Sequence, residues 1–204
     1  MPYRRTPAVQ ARLDAQRVTL VDAATRLLAE GGYAACTIAA VAARAGVAAG
    51  TVYRHFDSKT ALAAEVFRAV VDHEVGAVQA AISTEESAAG RVQALVETFA
   101  GRALRSPRLA YALLAEPVDP VVDQLRLDYR CRFRAAIAEI ITAGIASGEL
   151  PRQDPTVVAA ALVGAIGESL VGPLAGVEPG DPDTVSSVIT LALRAIGAVH
   201  AVYA

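Results

Sequence analysis

One stretch, CTIAAVAARAGVAAGTVYRHFDSK from Cys36 to Lys59, constrains this chain more than any other. Thr37 is suited to start a helix, because its hydroxyl can accept from a free backbone N–H two or three residues on. Ile38, Val41, Ala42 and Ala45 then recur at helical spacing. Gly46 stops the helix where a left-handed residue is cheap, Val47 and Ala48 complete a short turn, and a second helix runs from Ala49 to about Phe56. Two short helices around a glycine turn form a helix-turn-helix, which lays its second helix in a DNA major groove. That second helix carries Thr51, Tyr53, Arg54 and His55, all with polar atoms that suit phosphates or base edges. Ala49 suits a thymine methyl, and Gly50 lets the backbone approach closely. Few long polar side chains are available for base reading, so phosphate contacts and DNA shape are expected to dominate affinity.

The charge distribution agrees. The 204 residues carry a net charge of −2, from 19 basic and 21 acidic side chains. Residues 1–60 hold eight bases (Arg4, Arg5, Arg12, Arg17, Arg26, Arg44, Arg54, Lys59) and four acids (Asp14, Asp22, Glu30, Asp57), a net +4, which leaves −6 for the remainder. A basic front and an acidic back suit nucleic-acid binding at one end only. Arg4 and Arg5 belong either to a solvated tail or to an arm lying in a minor groove. Lys59, the single lysine, falls in the first turn of a helix, where the macrodipole disfavours a cation unless a phosphate is bound. Cys36 and Cys131 lack metal spacing and read as reduced, semi-buried thiols. The start, MPYRRTPAVQ, lacks the apolar run of a signal peptide. The longest uncharged tract, Pro155 to Gly167, is bounded by Asp154 and Glu168 and is too short to cross a bilayer. A cytoplasmic protein without cofactor or metal is expected.

The motif resembles the DNA-binding domain of the TetR (tetracycline-repressor) family of transcriptional regulators. The resemblance rests on Gly32-Tyr33, Thr37, Val41-Ala42, Ala45-Gly46-Val47, the G-T-x-Y-x-H-F run from Gly50 to Phe56, and Lys59, and it covers about residues 15–67. One departure is Ala48, where many members place Ser at the cap of the recognition helix, a loss of about 1 kcal/mol. The resemblance implies DNA contacts from Thr37, Ala49, Gly50, Thr51, Tyr53, Arg54, His55 and Lys59. It also implies an all-α fold of about nine helices. A three-helix DNA-binding domain over residues 1–57, its motif at about 37–56, would precede a ligand-binding and dimerisation domain over 58–204.

The remaining pattern fits that expectation. Leu20, Ala23, Ala24, Leu27 and Leu28 make the buried face of a first helix from about Ala11 to Glu30, ended by Gly31-Gly32. A fourth helix runs from Ser58 to about Ile82 and a fifth from about Ala88 to Leu104. A short one follows Ser106-Pro107, and a long one runs from Val118 or Asp119 to Ser147-Gly148. Asp154-Pro155 opens a helix reaching about Ala175, and Asp183-Thr184 opens a last one to near Val202. Residues 1–10 are expected to be mobile and Gly176 to Pro182 to form a loop.

In the second domain Leu95, Phe99, Tyr111, Leu114, Leu125, Tyr129 and Phe133 are candidate cavity walls, or equally a packed bundle core. Glu168 interrupts an apolar helix. It either pairs with Arg130, Arg134 or a ligand donor, or lies at an exposed rim. The last two long helices are rich in small residues. The resemblance implies that they form a homodimer interface, here through Leu162, Gly164, Ala165, Ile166, Ser169, Val188, Leu191, Ala192, Ala195 and Val199; packing within one chain is the plain alternative. No nucleophile–base pair and no phosphate loop argues for an enzyme. The expected function is a dimeric repressor released from a palindromic double-stranded DNA operator by a small, mainly apolar effector. The alternative is a ligand-independent architectural DNA-binding protein with a closed core.

Overall fold

Helix starts in this chain are written in hydroxyls and carboxylates that take up free backbone N–H groups. Thr6 accepts from Val9 N (3.4 Å), Thr37 from Ala40 N (3.2 Å), Ser58 from Ala61 N (3.0 Å) and Ser87 from Gly90 N (2.9 Å); Asp154 accepts from both Thr156 N (2.9 Å) and Val157 N (3.2 Å). The computed structural model of the protein describes residues 6–176 and 183–198. Among the described residues there are nine α-helices and no strand: α1 Pro7–Ala35, α2 Ile38–Arg44, α3 Ala49–His55, α4 Lys59–Ser83, α5 Ala88–Arg105, α6 Pro107–Leu114, α7 Pro120–Ser147, α8 Pro155–Ala175 and α9 Thr184–Ala195. Ala48 leaves α3 without a side-chain cap, as its missing hydroxyl requires. The turn between α2 and α3 uses Gly46 at φ +67°, the left-handed position expected of it.

Several sequence expectations are corrected. The first helix begins at Pro7 instead of Ala11, because Thr6 caps it and Pro7 is pre-set for a first turn. It also continues past Gly31 to Ala35, kinked where Gly32 leaves helical geometry (φ 71°, ψ −166°). The last helix ends at Ala195, before Gly197 at φ +79°. Cys36 is buried, but Cys131 is exposed. The arm residues Arg4 and Arg5, most of the Gly176–Pro182 loop and Val199 lie outside the described residues.

Two buried clusters organise the packing. One joins α1–α4 through Leu20, Ala24, Val41, Val52, Phe56, Leu62, Val66 and Phe67, and takes in Ala112 and Leu113 of α6 and Val122 and Tyr129 of α7. The other is built from α5, α7, α8 and α9 around Val92, Val96, Ile137, Ile141, Leu162, Leu170 and Ile196. The first half of α4 belongs to the first cluster and Val78 to the second, so α4 is common to both. By length and composition α8, a helix of 21 residues, is apolar enough to cross a membrane, with mean hydropathy 1.8 over its most apolar 18 residues. Counting only the uncharged tract missed this, because one Glu does not break the helix. Five α8 residues are nevertheless buried in the chain's own core.

Gly32 supplies a test of this arrangement. A Cβ there would stand 1.7 Å from Arg108 Nη2 and 2.7 Å from Glu116 Oε1, at a backbone angle that L side chains rarely adopt. Gly32→Ala is expected to lose roughly 1–3 kcal/mol in urea unfolding. An unchanged midpoint would show that α1 does not approach α6 this closely.

Candidate nucleic-acid interface and ligand cavity

The recognition helix α3 is seven residues long, too short to persist alone, so its neighbours hold it. Val52 and Phe56 enter the core. Arg17 of α1 donates from Nη1 to the His55 carbonyl (3.0 Å), lies 4.5 Å over the Phe56 ring, and pairs with Glu65 of α4 (3.0 Å). One arginine thereby ties α1, α3 and α4 together; with its partner on α4, no local pattern in the sequence reveals it.

This scaffold leaves a polar rim. Ala49, Gly50 and Arg54 are exposed, Thr51 is half-buried, and Tyr53 is 55 % exposed, an aromatic ring turned to solvent. Arg54 makes no hydrogen bond or ion pair among the described residues. Thr37 is exposed, with its hydroxyl occupied in capping α2. Two of the residues expected at DNA also have partners within the chain. His55 is half-buried with Nε2 3.0 Å from Gln16 Oε1, so its ring is engaged with α1. Lys59 has its ammonium 4.3 Å over the Tyr33 ring. This cation–π contact offsets the unfavourable helix N-terminus.

Tyr33 belongs to a wider set of bonds. Its hydroxyl donates to Asp119 Oδ2 in a very short hydrogen bond, and Thr60 Oγ1 donates to the same oxygen (2.8 Å). Its backbone N–H donates to Glu116 Oε2 (3.0 Å). Arg108 Nη2 donates to Glu116 Oε1 (2.8 Å) and to Gly31 O (3.3 Å). The Tyr33 phenol, with Thr60 and then Lys59, holds the Asp119 carboxyl below the usual carboxylate range; burial, with Asp119 beside it, pushes the Tyr33 hydroxyl up. The end of α1 and the start of α4 are thus clamped to the segment between α6 and α7.

The second feature is a partly open cavity of about 410 Å³ lined by α4, α5, α6, α7 and α8. Of the expected walls, Leu95, Phe99, Leu114, Tyr129 and Phe133 line it, and the Phe99 and Phe133 rings meet edge to face at 5.7 Å. Two expected walls, Tyr111 and Leu125, and the ligand candidate Glu168 are elsewhere. Tyr111 packs on the other side of α6, with Arg108 5.8 Å from its ring centroid. Leu125 turns into the first cluster, because the lining positions of α7 are Arg126, Tyr129, Arg130, Phe133 and Ile137, one step around the helix. Glu168 is exposed, so the rim alternative holds and it needs no buried partner. Arg134 is exposed and away from the lining.

The cavity's polar groups come mostly from residues the sequence reading missed. Arg102 forks onto Glu74, with a very short Nε–Oε2 contact and Nη2–Oε1 at 2.8 Å. Arg105 and Arg130 have no hydrogen bond or ion pair among the described residues. Arg126 is 12 % exposed; its Nε donates to Leu113 O (2.8 Å), its Nη2 to Glu116 O (2.9 Å) and Ala112 O (3.3 Å), and its Nη1 to Asp123 (3.0 Å). Against these stand the apolar Val71, Leu109, Val163, Ile166 and Val171.

Four residues expected at a dimer interface are corrected to intrachain core: Leu162, Ile166, Val188 and Ala192 are buried against α5, α7 and each other's helices. Gly164, Ala165, Ser169, Leu191 and Ala195 face outward or are half-buried, with Leu191 47 % exposed.

His55 gives a pH test. Burial first, then Arg17 and Arg54, lower its pKa below 6.5, so folding favours the neutral ring. The stabilisation it carries is present above the unfolded value and lost as pH falls through the folded one. Urea midpoints of the protein minus those of His55→Gln should therefore fall between pH 7 and pH 5; a flat difference would mean that the ring is not desolvated.

Residues 20–66 match the model of bacterial regulatory proteins of the tetR family. The chain is 29 % identical over 137 residues to the HTH-type transcriptional repressor KstR2 of Rhodococcus jostii (strain RHA1), covering 65 % of this chain and 67 % of that one. It is 36 % identical over 86 residues to the HTH-type transcriptional activator FasR of Mycolicibacterium smegmatis, covering 42 % of this chain and 39 % of that one. The fold is shared with the transcriptional regulator FadR of Bacillus subtilis, solved in complex with stearoyl-CoA, at a TM-score of 0.75 and 22 % identity over 88 % of this chain and 98 % of that one. Residues 20–66, which hold the helix-turn-helix of α2 and α3, are thus similar to the DNA-binding part of tetR-family transcriptional regulators, and the helical second half shares the fold of solved regulators.

Proposed function

We propose that this protein is a cytoplasmic, homodimeric repressor that leaves a palindromic operator when a small, mainly apolar ligand carrying an anionic group enters its cavity. The observation that carries the reading is the cavity itself, about 410 Å³ of largely apolar wall with four arginines and one glutamate among its lining residues. Ligand sites are of this size and character, and the excess of guanidinium selects a negative group. The Bacillus subtilis FadR complex with stearoyl-CoA is a fold-level precedent for such an amphipathic ligand. The alternative, an architectural DNA-binding protein without effector, calls for a closed core, and the cavity counts against it.

The dimer rests on α8 and α9. The inward side of α8 enters the core, but only 28 % of its apolar window is buried. Val157, Ala160, Ala161, Gly164 and Ala165 on α8 and Leu191 on α9 leave an apolar, small-residue surface that a second copy would cover. Gly164 is the decisive position, since a Cβ there meets nothing within 4 Å in its own chain. Gly164→Arg should fold normally yet sediment as a monomer at micromolar concentration and lose operator binding. A wild-type monomer under the same conditions would sink the dimer.

On the DNA side, Gly50 separates fold from contact. It lies in α3 with open space around a would-be Cβ. Gly50→Ala should be as stable as wild type or up to about 1 kcal/mol more so, while operator affinity falls if the backbone approaches DNA. Equal affinity would remove that approach. Lys59→Ala should weaken all DNA sequences alike and reduce the salt slope by about one per subunit. Arg54→Ala, if Arg54 reads a base, should cost about 1–3 kcal/mol per half-site and relax preference at one position.

The whole reading is tested by selecting DNA from a random pool, footprinting the selected site, and titrating the complex with stearoyl-CoA, stearate and a sugar phosphate. An inverted repeat released by the acylated compounds and not by the sugar phosphate is expected. Release by the sugar phosphate alone would overturn the ligand class, and an asymmetric half-site protected by one subunit would overturn the palindrome. A promoter fusion gives the sign of regulation, which the differing names of KstR2 and FasR make worth measuring.

A further inference from the structure

We infer that Arg126 is the residue through which an anionic ligand in the cavity acts on the DNA-binding domain, by giving up the carbonyls at the end of α6 for the ligand. The inference rests on the ligand-responsive reading above and adds a specific route to it.

Arg126 has two possible sets of partners and cannot serve both in full. It is a cavity-lining residue whose Nη1 pairs with the exposed Asp123 (3.0 Å), while its Nε and Nη2 close the C-terminal end of α6 by donating to the carbonyls of Ala112 and Leu113 and of Glu116 just beyond it. Those are the kind of carbonyls that a helix end leaves without intrahelical donors. A carboxylate or phosphate offers the same fork a charge-assisted pair, roughly twice as strong as neutral carbonyls. The side chain is 12 % exposed, so water screens this competition little. Among the cavity's arginines Arg126 alone places most of its donors on backbone carbonyls: Arg102 is held by Glu74, and Arg105 and Arg130, both exposed, have no hydrogen bond or ion pair among the described residues.

What Arg126 releases leads straight to the DNA-binding unit. Glu116, whose carbonyl it holds, uses its own carboxylate to bind Tyr33 N and Arg108. Three residues on, Asp119 binds the Tyr33 hydroxyl and Thr60. The Tyr33 ring in turn seats Lys59. The route therefore runs from the cavity through Arg126 to the segment after α6, then to the end of α1 and the start of α4. Apart from the chain between Glu116 and Asp119, each step is a hydrogen bond or a ring contact, and Arg126, once offered a ligand anion as a second acceptor, would be the two-state element that a coupling argument requires.

The test uses the full chain and begins without ligand or DNA. Hydrogen exchange is compared for wild type and Arg126→Lys, which keeps the cation but cannot fork onto three carbonyls. Exchange should quicken about tenfold at 112–116 and also at 31–33 and 59–61, and remain unchanged in α8. Faster exchange confined to α6 and α7 would overturn the route. If Arg126→Lys unfolds, Asp119→Asn at the far end of the clamp replaces it and should loosen 31–33 and 59–61 while leaving Arg126 untouched. The second arm measures stearoyl-CoA binding to DNA-free protein and the ratio of DNA affinities with and without it. Arg126→Lys should weaken stearoyl-CoA binding about tenfold or more. Glu116→Gln should still bind it, while the ratio of DNA affinities drops to about one. Loss of binding in Arg105→Gln or Arg130→Gln with Arg126→Lys unaffected would put the anion at the rim and overturn the inference. If stearoyl-CoA does not bind wild type, the proposed ligand class fails by that result alone, and the exchange arm still decides the route.

Discussion

The carboxylates of Glu116 and Asp119 fasten the end of α1 and the start of α4 to the segment between α6 and α7, beside the buried cluster these helices share. A seven-residue recognition helix has no stability of its own, so where α3 points is decided by α1 and α4. The end of α1 and the start of α4 are in turn fastened to the segment between α6 and α7 through Tyr33, Thr60 and Arg108. Ionised carboxylates suit this task because each accepts from several donors at once. Tyr33, Thr60 and Lys59 all favour the charged form of Asp119, so what this carboxylate contributes to the clamp is present above its ordinary pKa of 3.8 and lost as pH falls through the lower folded value.

The same segment borders the cavity. Helix α6 is eight residues long and has work on two sides: Leu109, Ala110, Leu113 and Leu114 line the cavity, while Ala112 and Leu113 pack into the first cluster with α1. A ligand of the proposed kind, filling the cavity, would press on a wall whose other face packs against α1. Helix α4 adds a second shared wall. Phe67, Val70 and Val71 border the cavity, and Lys59 and Thr60 begin the same helix.

Helix α8 has two faces for the same reason. Val163, Ile166, Gly167 and Val171 border the cavity, while Gly164 and Ala165 turn away from it. A change in the cavity is one helix diameter from a surface suited to a second copy.

Local chemistry determined much of this protein before any folding was considered. Thr37, Ser58 and Asp154 announce helix starts because an N-cap needs only a side-chain acceptor and the next three residues. Gly46 announces the turn because its left-handed geometry excludes most side chains. The motif from Gly50 to Phe56, read together with the basic front of the chain, gave the DNA-binding unit. Tertiary structure decided which face of each helix is turned where. Leu125 and Phe133 are both large apolar residues on α7, yet one enters the first cluster and the other lines the cavity. Leu162 and Ala161 are neighbours on α8, yet one is buried in the chain's core and the other is exposed. Periodicity assigns residues to an apolar stripe but not to a partner, because the partner lies tens of residues away. The arginines show this most plainly. Arg17, Arg102 and Arg126 resemble any other surface arginines in the sequence, and they take their roles from Glu65, Glu74 and the carbonyls of α6, which only the packed helices bring within reach.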